Sequence, residues 1–441
     1  MGKNGVVADL PKRAFTRGAR LAALPLSQAG RAAVGAGKRL GGKPAEAVAA
    51  EMQQRSAEQM FRVLGDLKGG AMKVGQAMSV FEAALPEEVA APYRATLTKL
   101  QEAAPPMSMD AVDKALTEQL GRDWRDRFTD FNETPMAAAS IGQVHQATWR
   151  DGRLVAVKIQ YPGAATALTS DLNQMVRMGR MFGTLVPGLD MKPLLRELRD
   201  RVLEELDYLE ESNSQRAFAV AFEGDADFLI PHVLAAAPKV LVTEWVAGTP
   251  LAAVIATGDQ TTRDHAGLLY QRFLLASPQR ARMLHADPHP GNYRMMDDGR
   301  LAVLDFGAVA RMPDGFPEAV GEVMRIALQG DADTVMAGLR EEGFVLPQIE
   351  VDPQRLLDYL TPFVEPLRHP EFHYSREWLR SMFNRVKDPR GADFSIGLKL
   401  NLPPSYALIH RVWLGATGVT CQLEATVPIR SEAQQWVPGF A

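Results

Sequence analysis

One cysteine, Cys421, is all the thiol that the 441 residues hold, which excludes both an internal disulfide and a thiolate zinc site. The fold must then rest on its apolar core, as in a reducing compartment, and secretion is disfavoured. Long hydrophobic runs are missing too: no stretch approaches the roughly 18 consecutive apolar residues that a membrane-spanning helix needs. Residues 412–423 lack charge but carry Thr417, Thr420 and Gln422, so a buried core helix is expected there. Strong net charge is also absent, since 49 Lys and Arg stand against 53 Asp and Glu. With 46% hydrophobic and 23% charged residues, the composition is that of a globular chain and excludes disorder as the main state. The length suits two to three domains of about 100–200 residues, or one domain with large insertions.

Acid is scarce in one place. Residues 1–43 hold Lys3, Lys12, Arg13, Arg17, Arg20, Arg31, Lys38, Arg39 and Lys43 against Asp9 alone, a balance of +8 that leaves −12 for the rest. Arg13, Arg17 and Arg20 share one face if this arm is helical. Such an arm can touch an anionic bilayer or nucleic acid; a solvated tail and an Arg-rich targeting peptide are the other readings.

Between Pro44 and Pro86 the apolar residues Met60, Leu64, Leu67, Ala71, Val74, Met78 and Phe81 recur in steps of four and three, one stripe of a long helix. Gly69, Gly70 and Gly75 interrupt it, which suits close approach of another backbone. Helices are expected at 92–101 and, after the N-cap candidate Ser108, up to Leu120 with Gly121 at the stop. From Phe128 the pattern turns to short apolar alternations, and Asp151-Gly152 between two of them signals a hairpin. Helices are expected over 166–185 and 192–222, then a strand over 240–245. Beyond Gly248 the chain reads as mainly helical, broken by an irregular segment at 285–292 and a short strand at 301–304; another helix is expected from about Phe316.

The densest chemical signal is His285-Ala-Asp287-Pro-His289-Pro-Gly-Asn292, followed by Asp305-Phe306-Gly307. Asp287 precedes Asn292 by five positions, and Asn292 precedes Asp305 by thirteen. In a kinase catalytic loop an Asp at the first position accepts the proton of the acceptor hydroxyl, while the Asn and the second Asp hold magnesium against the nucleotide phosphates. Two other readings stay open for this segment. His285, Asp287 and His289 alternate like ligands of a transition metal, and the prolines and glycine alone can shape a polar turn.

Upstream, Val155-Ala-Val-Lys158 ends the expected hairpin, where a kinase keeps the lysine that contacts the α and β phosphates. Ahead of it runs Ala137-Ala138-Ala139-Ser140-Ile141-Gly142-Gln143-Val144. Aligned on the kinase glycine-rich loop, Ala137 and Ala139 replace glycines while Gly142 and Val144 remain, which predicts a stiffer loop over the nucleotide. The strand over 240–245 leads into a turn resembling a hinge, where backbone near Glu244 and Val246 meets adenine and Thr243 guards the rear pocket. The glutamate partner of Lys158 lies somewhere in residues 204–211, and periodicity does not choose among the candidates.

Together these motifs resemble the UbiB/ADCK (AarF-type) atypical kinases over residues 55–315. Lys73-Val-Gly-Gln76 is similar to the family's Lys-x-Gly-Gln motif, Ala137 to Val144 to its alanine-rich loop, and Glu205-Leu-Asp207 to its Glu-x-Asp motif. His285 to Asn292 is similar to its catalytic loop. The resemblance implies an α+β, two-lobed protein-kinase-like fold with an N-terminal helical extension lying across the active site. It implies that Glu211 pairs with Lys158, that Asn292 and Asp305 ligate Mg2+, and that Asp287 orients or deprotonates the attacking group. It further implies that Lys73, Gln76, Glu205 and Asp207 form a regulatory, nucleotide-selecting cluster.

The organisation so implied is a basic arm (1–43), a helical regulatory extension (44–125), an N lobe with inserted helices (126–247) and a C lobe (248–441). ATP or ADP with Mg2+ is the expected ligand, and the family's association is with isoprenoid lipid and quinone biosynthesis, more as ATPases or small-molecule kinases than as protein kinases. The remaining alternatives are a nucleotide-regulated scaffold and a small-molecule phosphotransferase. Expected partners are a small-molecule or lipid acceptor, peripheral contact with an anionic membrane from a cytoplasmic location, and a second copy in a homodimer; nucleic acid is not expected. The hydrophobic C-terminal spans of some bacterial members have no counterpart here. No Ala-Pro-Glu follows Asp305-Phe-Gly, so a docking platform for peptides is not expected.

Overall fold

The computed structural model describes residues 106–139, 141–164, 206–387 and 392–441. The basic arm, the extension bearing Lys73 and Gln76 up to residue 105, Ser140, the helix expected over 166–185 and Glu205 lie outside the described residues. Helix α1 (Met109–Leu120) begins where expected, at Ser108, whose hydroxyl accepts from the Ala111 amide, and ends at Gly121 with φ +100°. Val112, Leu116 and Leu120, four apart, form its buried stripe.

Along the chain follow β1 (Phe128–Phe131), β2 (Ala137–Ala139), β3 (Gly142–Trp149), β4 (Leu154–Gln160), α2 (Tyr208–Ala221), β5 (Phe228–Leu229), β6 (Val233–Ala237) and β7 (Val240–Glu244). Strands β1, β3, β4, β7 and β6 pair antiparallel in that order, and β2 folds back onto β3. The β3–β4 turn is the expected Asp151-Gly152, where Gly152 takes φ +90° and the Asp151 carboxylate accepts from the Arg153 amide at 3.1 Å. Period-two alternation then divides β4. Val155, Val157 and Ile159 are fully buried in a cluster with Val112, Leu116 and Trp124, while Lys158 faces the other way, towards α2.

The expected continuous helix over 192–222 is corrected here. Asp207 has extended backbone (φ −107°, ψ 103°), and its carboxylate accepts from the Leu209 amide at 2.9 Å, so α2 starts afresh at Tyr208. Aspartate satisfies an orphan amide better as a cap than it serves a helix interior. Asp207 and Glu211 therefore do not share a helix face.

The remainder comprises β8 (Thr249–Pro250), α3 (Leu251–Thr257), α4 (Gln260–Ala281), β9 (Met283–His285), β10 (Tyr293–Met295), β11 (Leu301–Val303), β12 (Val309–Arg311), α5 (Ala319–Gln329), α6 (Ala332–Glu341) and α7 (Pro353–Val364). Then come β13 (Phe372–His373), α8 (Arg376–Lys387), α9 (Ala392–Gly397), α10 (Pro404–Leu423), β14 (Thr426–Val427) and α11 (Ile429–Trp436). Helix α5 starts three residues later than expected, because Pro317 and Glu318 precede its first turn and Phe316 is buried in the core instead. Helix α10 contains the expected core segment, with Val419, Cys421 and Leu423 fully buried. Burial also pushes the Cys421 thiol above its ordinary pKa, so it packs as a small apolar group. Among the described residues no helix is long and apolar enough to cross a membrane.

Among the described residues the buried apolar side chains form two large clusters and a small one of Ile141, Tyr208 and Leu241, and α2 reaches both regions. Phe218 and Phe222 near its end join Phe273 and Phe306 in the core of the helical region, whereas Glu211 near its start reaches the sheet. This mixed architecture of a small antiparallel sheet and a larger helical body, joined through β7, is the two-lobed kinase-like arrangement.

Candidate active site

The twelve residues between Asn292 and Asp305 form a β-hairpin. Strands β10 and β11 pair with Tyr293 opposite Val303, the turn closes at Gly299 (φ +88°), and the Leu304 amide donates to the Asn292 carbonyl at 2.9 Å. The hairpin thus returns the chain to Asn292 just before Asp305. A second pair, β9 with β12, sets His285 opposite Val309. The catalytic-loop segment is clamped between these two ladders.

At the centre, the Lys158 ammonium donates to Glu211 at 2.7 and 3.0 Å and to Asp305 at 3.0 Å. Glu211 is 2% exposed, and that ammonium offsets its buried charge. Burial opposes the charge on Lys158, but the carboxylates of Asp305 and Glu211 outweigh it and hold the pKa well above the ordinary lysine value. The ammonium also lies 5.0 Å from the centre of the Tyr208 ring, a cation–π contact. Among the candidates over 204–211, it is Glu211 that meets Lys158.

Asp305 binds twice more: its other carboxylate oxygen accepts from the Gly307 amide at 2.9 Å, and its carbonyl accepts from His285 Nε2 at 2.5 Å. A carbonyl can only accept, so His285 carries its proton on Nε2 and takes the Tyr293 hydroxyl on Nδ1 at 3.2 Å. The ring is fully buried, which lowers its pKa and keeps it neutral. Both nitrogens being occupied, and His289 Nδ1 accepting from the Gly291 amide, the transition-metal reading of His285, Asp287 and His289 fails. Among the described residues no group of three or more His, Cys, Asp or Glu could hold a metal unaided. Asn292 and Asp305 supply two hard oxygen donors, which fits Mg2+ completed by substrate phosphates rather than by a protein cage.

Asp287 sits in a supported loop. The Pro288 carbonyl accepts from the buried Tyr270 hydroxyl at 2.6 Å, and Asn292 Nδ2 donates to the Asp287 carbonyl at 3.3 Å. Pro288 also presses on α10 at Gly415, where a Cβ would lie 2.3 Å from Pro288 Cγ. One turn earlier on α10, Arg411 Nη2 lies 3.9 Å from Asp287 Oδ1. Sequence reasoning missed Arg411, which has no local motif and lies 124 positions downstream of Asp287.

The alanine-rich segment is a tight hairpin, Ala137 opposite Val144, Ala138 opposite Gln143 and Ala139 opposite Gly142, with Ile141 buried against Tyr208 and Leu241. Val144 is in turn the cross-strand neighbour of Lys158, so the hairpin continues directly into the cleft. Gly142 has a packing role: a Cβ there would lie 2.2 Å from the Ile159 carbonyl oxygen and 3.0 Å from the Tyr208 hydroxyl. At the far end of β7, Glu244 bonds Arg153 and the His232 amide, and Val246 is buried. Asp207 serves as the cap of α2.

This geometry defines a protein-kinase-like cleft. Residues 99–339 match the family model described as the ABC1 atypical kinase-like domain. The chain is 30% identical over 297 residues to zebrafish (Danio rerio) atypical kinase COQ8B, mitochondrial, covering 67% of this chain and 47% of that protein. It is 31% identical over 400 residues to the uncharacterized protein slr1919 of Synechocystis, covering 87% of this chain and 67% of that one. A solved complex of Rv3197 with erythromycin, from Mycobacterium tuberculosis, is 44% identical with a TM-score of 0.68, covering 90% of this chain and all of that one. The chain belongs to the ABC1 atypical kinase family, the UbiB/ADCK group that its motifs resemble.

Proposed function

We propose that the chain is a Mg2+-dependent, ATP-binding atypical kinase or ATPase that acts on a small-molecule or lipid acceptor in support of isoprenoid lipid or quinone biosynthesis. The observation that carries this reading is the convergence of Lys158, Glu211 and Asp305 within hydrogen-bonding distance, from strand, helix and loop. Lys158, held by Glu211, binds the α and β phosphates. Asn292 and Asp305 would hold Mg2+, which when bound neutralises phosphate oxygens. Asp287 orients the attacking hydroxyl or water and takes its proton, and Arg411 meets the negative charge that gathers beside it. The hairpin of Ala137, Ala138, Ala139, Ser140, Ile141, Gly142 and Val144 covers the nucleotide, and backbone at Glu244 and Val246 receives adenine. Little transfer to other proteins is expected, since only β12 and a short connection separate Gly307 from α5.

The test is a thermal-shift titration with ATP and ADP, with and without Mg2+, on the parent and on Asp305→Asn. Saturation at about 100 times the dissociation constant stabilises by about 2.7 kcal/mol, which moves a melting transition by degrees. A Mg2+-dependent shift that Asp305→Asn loses is expected; no shift with either nucleotide overturns the reading. Turnover is then compared in the parent and Asp287→Asn with lipid headgroup analogues present, and with erythromycin, the ligand of the 44% identical relative. Nucleotide binding without turnover that depends on Asp287 would make the chain a scaffold.

A further inference from the structure

A hollow of about 390 Å³ lies where α5, the 3₁₀ turn Glu365–Arg368 and α11 meet, lined by none of the residues of the Lys158 cleft. Three arginines line it: Arg325 on α5, Arg368 on the turn and Arg430 on α11. Among the described residues none of the three has a carboxylate partner, whereas Arg272, Arg280 and Arg385 of the same helical region are all ion-paired. Arg430 Nη1 donates instead to the Arg368 backbone carbonyl at 3.5 Å, which ties α11 to the turn at this hollow. Unpaired like charges around one concavity repel, and an anion placed between them removes that cost.

The helix adds a second, independent strain. Arg430 stands in the first turn of α11, where the helix dipole disfavours a cation; the first-turn carboxylate Glu432 is taken up by Arg272, and Pro428 at the cap offers no side-chain hydrogen bond. Between the arginines the apolar lining is half-buried Leu328 and Phe440, which is 6% exposed, backed by the fully buried Leu367. Gln329 and Gln434 add neutral amide donors at the rim.

We propose that this hollow binds a phosphate ester that carries an apolar group. The forks of the guanidinium groups match phosphate oxygens in pairs, and the apolar group lies on Leu328 and the edge of Phe440. The ester is either a soluble molecule or the headgroup of a membrane phospholipid, and the site is independent of the nucleotide reading above.

The experiment uses the full chain in a Lys158→Met/Glu211→Leu background, so that phosphate binding in the nucleotide cleft does not contribute and no buried carboxylate is left beside the lost cation. Three probes are titrated: inorganic phosphate, short-chain soluble phosphatidic acid, and phosphatidylcholine vesicles with or without phosphatidic acid. The soluble lipid is expected to bind more tightly than inorganic phosphate, and the pair Arg368→Gln/Arg430→Gln to weaken it by about tenfold or more. The urea midpoint of the pair variant, matched to its parent, confirms that it folds. Loss of vesicle binding in the pair variant assigns the headgroup of a bilayer; loss confined to the soluble ester assigns a free ligand. Equal binding of every probe by the pair variant and its parent overturns the proposal, as does soluble lipid binding no better than inorganic phosphate.

Discussion

Strand β4 has two faces built by the same alternation, and they do opposite work. Towards α1 stand Val155, Val157 and Ile159, fully buried in an apolar cluster where shape decides the energy. Towards α2 stands Lys158, whose ammonium offsets two carboxylates and whose value lies in charge and distance. The apolar face can exchange methyl groups for modest losses; the charged face can lose its function while keeping its volume. Two polar groups interrupt the apolar side: Gln143, opposite Ile159, and His145, opposite Val157, which is stacked on Phe131 and linked to Gln143 at 2.7 Å and the Asn132 carbonyl at 2.8 Å.

The largest expected break in this contrast is Lys158→Met. It removes the cation beside the buried Glu211 carboxylate, which costs about 3–5 kcal/mol in urea unfolding, and it abolishes the nucleotide-dependent thermal shift. Adding Glu211→Leu should restore most of the stability and none of the shift, because the pair is coupled. Val157→Ala on the opposite face should cost about 2 kcal/mol by opening a cavity, with nucleotide affinity unchanged within error. A changed affinity would mean that the two faces are mechanically coupled. Arg411→Gln should lower kcat about tenfold, roughly 1.4 kcal/mol in the barrier, and leave the ATP dissociation constant alone.

The smallest effect separates the faces by pH. Burial, only partly opposed by the hydrogen bond to the Asn132 carbonyl, lowers the pKa of His145 below 6.5. The unfolded chain then binds that proton more readily, so this stability is present above about pH 6.5 and is lost as pH falls below it. Lys158 is the reverse case, with a folded pKa above 10.5, so its contribution is present below about pH 10.5 and is lost as pH rises through the folded value. Urea midpoints taken across this range should fall at both ends. His145→Gln should flatten only the acid limb, to which His285, His289 and His410 also contribute through burial.

What was legible in the sequence was whatever a short stretch of chain decides. Ser108 and Gly121 mark the ends of α1, Asp151-Gly152 marks a hairpin turn, and Asp287, Asn292 and Asp305 keep their offsets because a hairpin of fixed length joins the last two. Strands β9, β10 and β12 were not legible: three residues give period two almost no room to repeat, and their pairing partners are set by tertiary contacts. Strand β6 was hidden in an alanine-rich run with weak strand preference. The break at Asp207 was masked by acidic and leucine neighbours that favour helix on both sides. The pairing of Glu211 with Lys158 came from resemblance, since periodicity alone left the choice open. Arg411 was out of reach because its partner is met only after α10 folds across the loop.

The notch at Gly415 bears on where the chain can be cut. A fragment ending after α6, at Glu341, would retain Lys158, Glu211, Asp287, Asn292 and Asp305, every group usually taken as the signature of such a cleft. It would lack the wall against which Pro288 rests and the guanidinium that faces Asp287. The smallest self-sufficient piece is therefore set by a buttress more than a hundred residues beyond the last motif, and an expression boundary chosen from motifs alone would sever it.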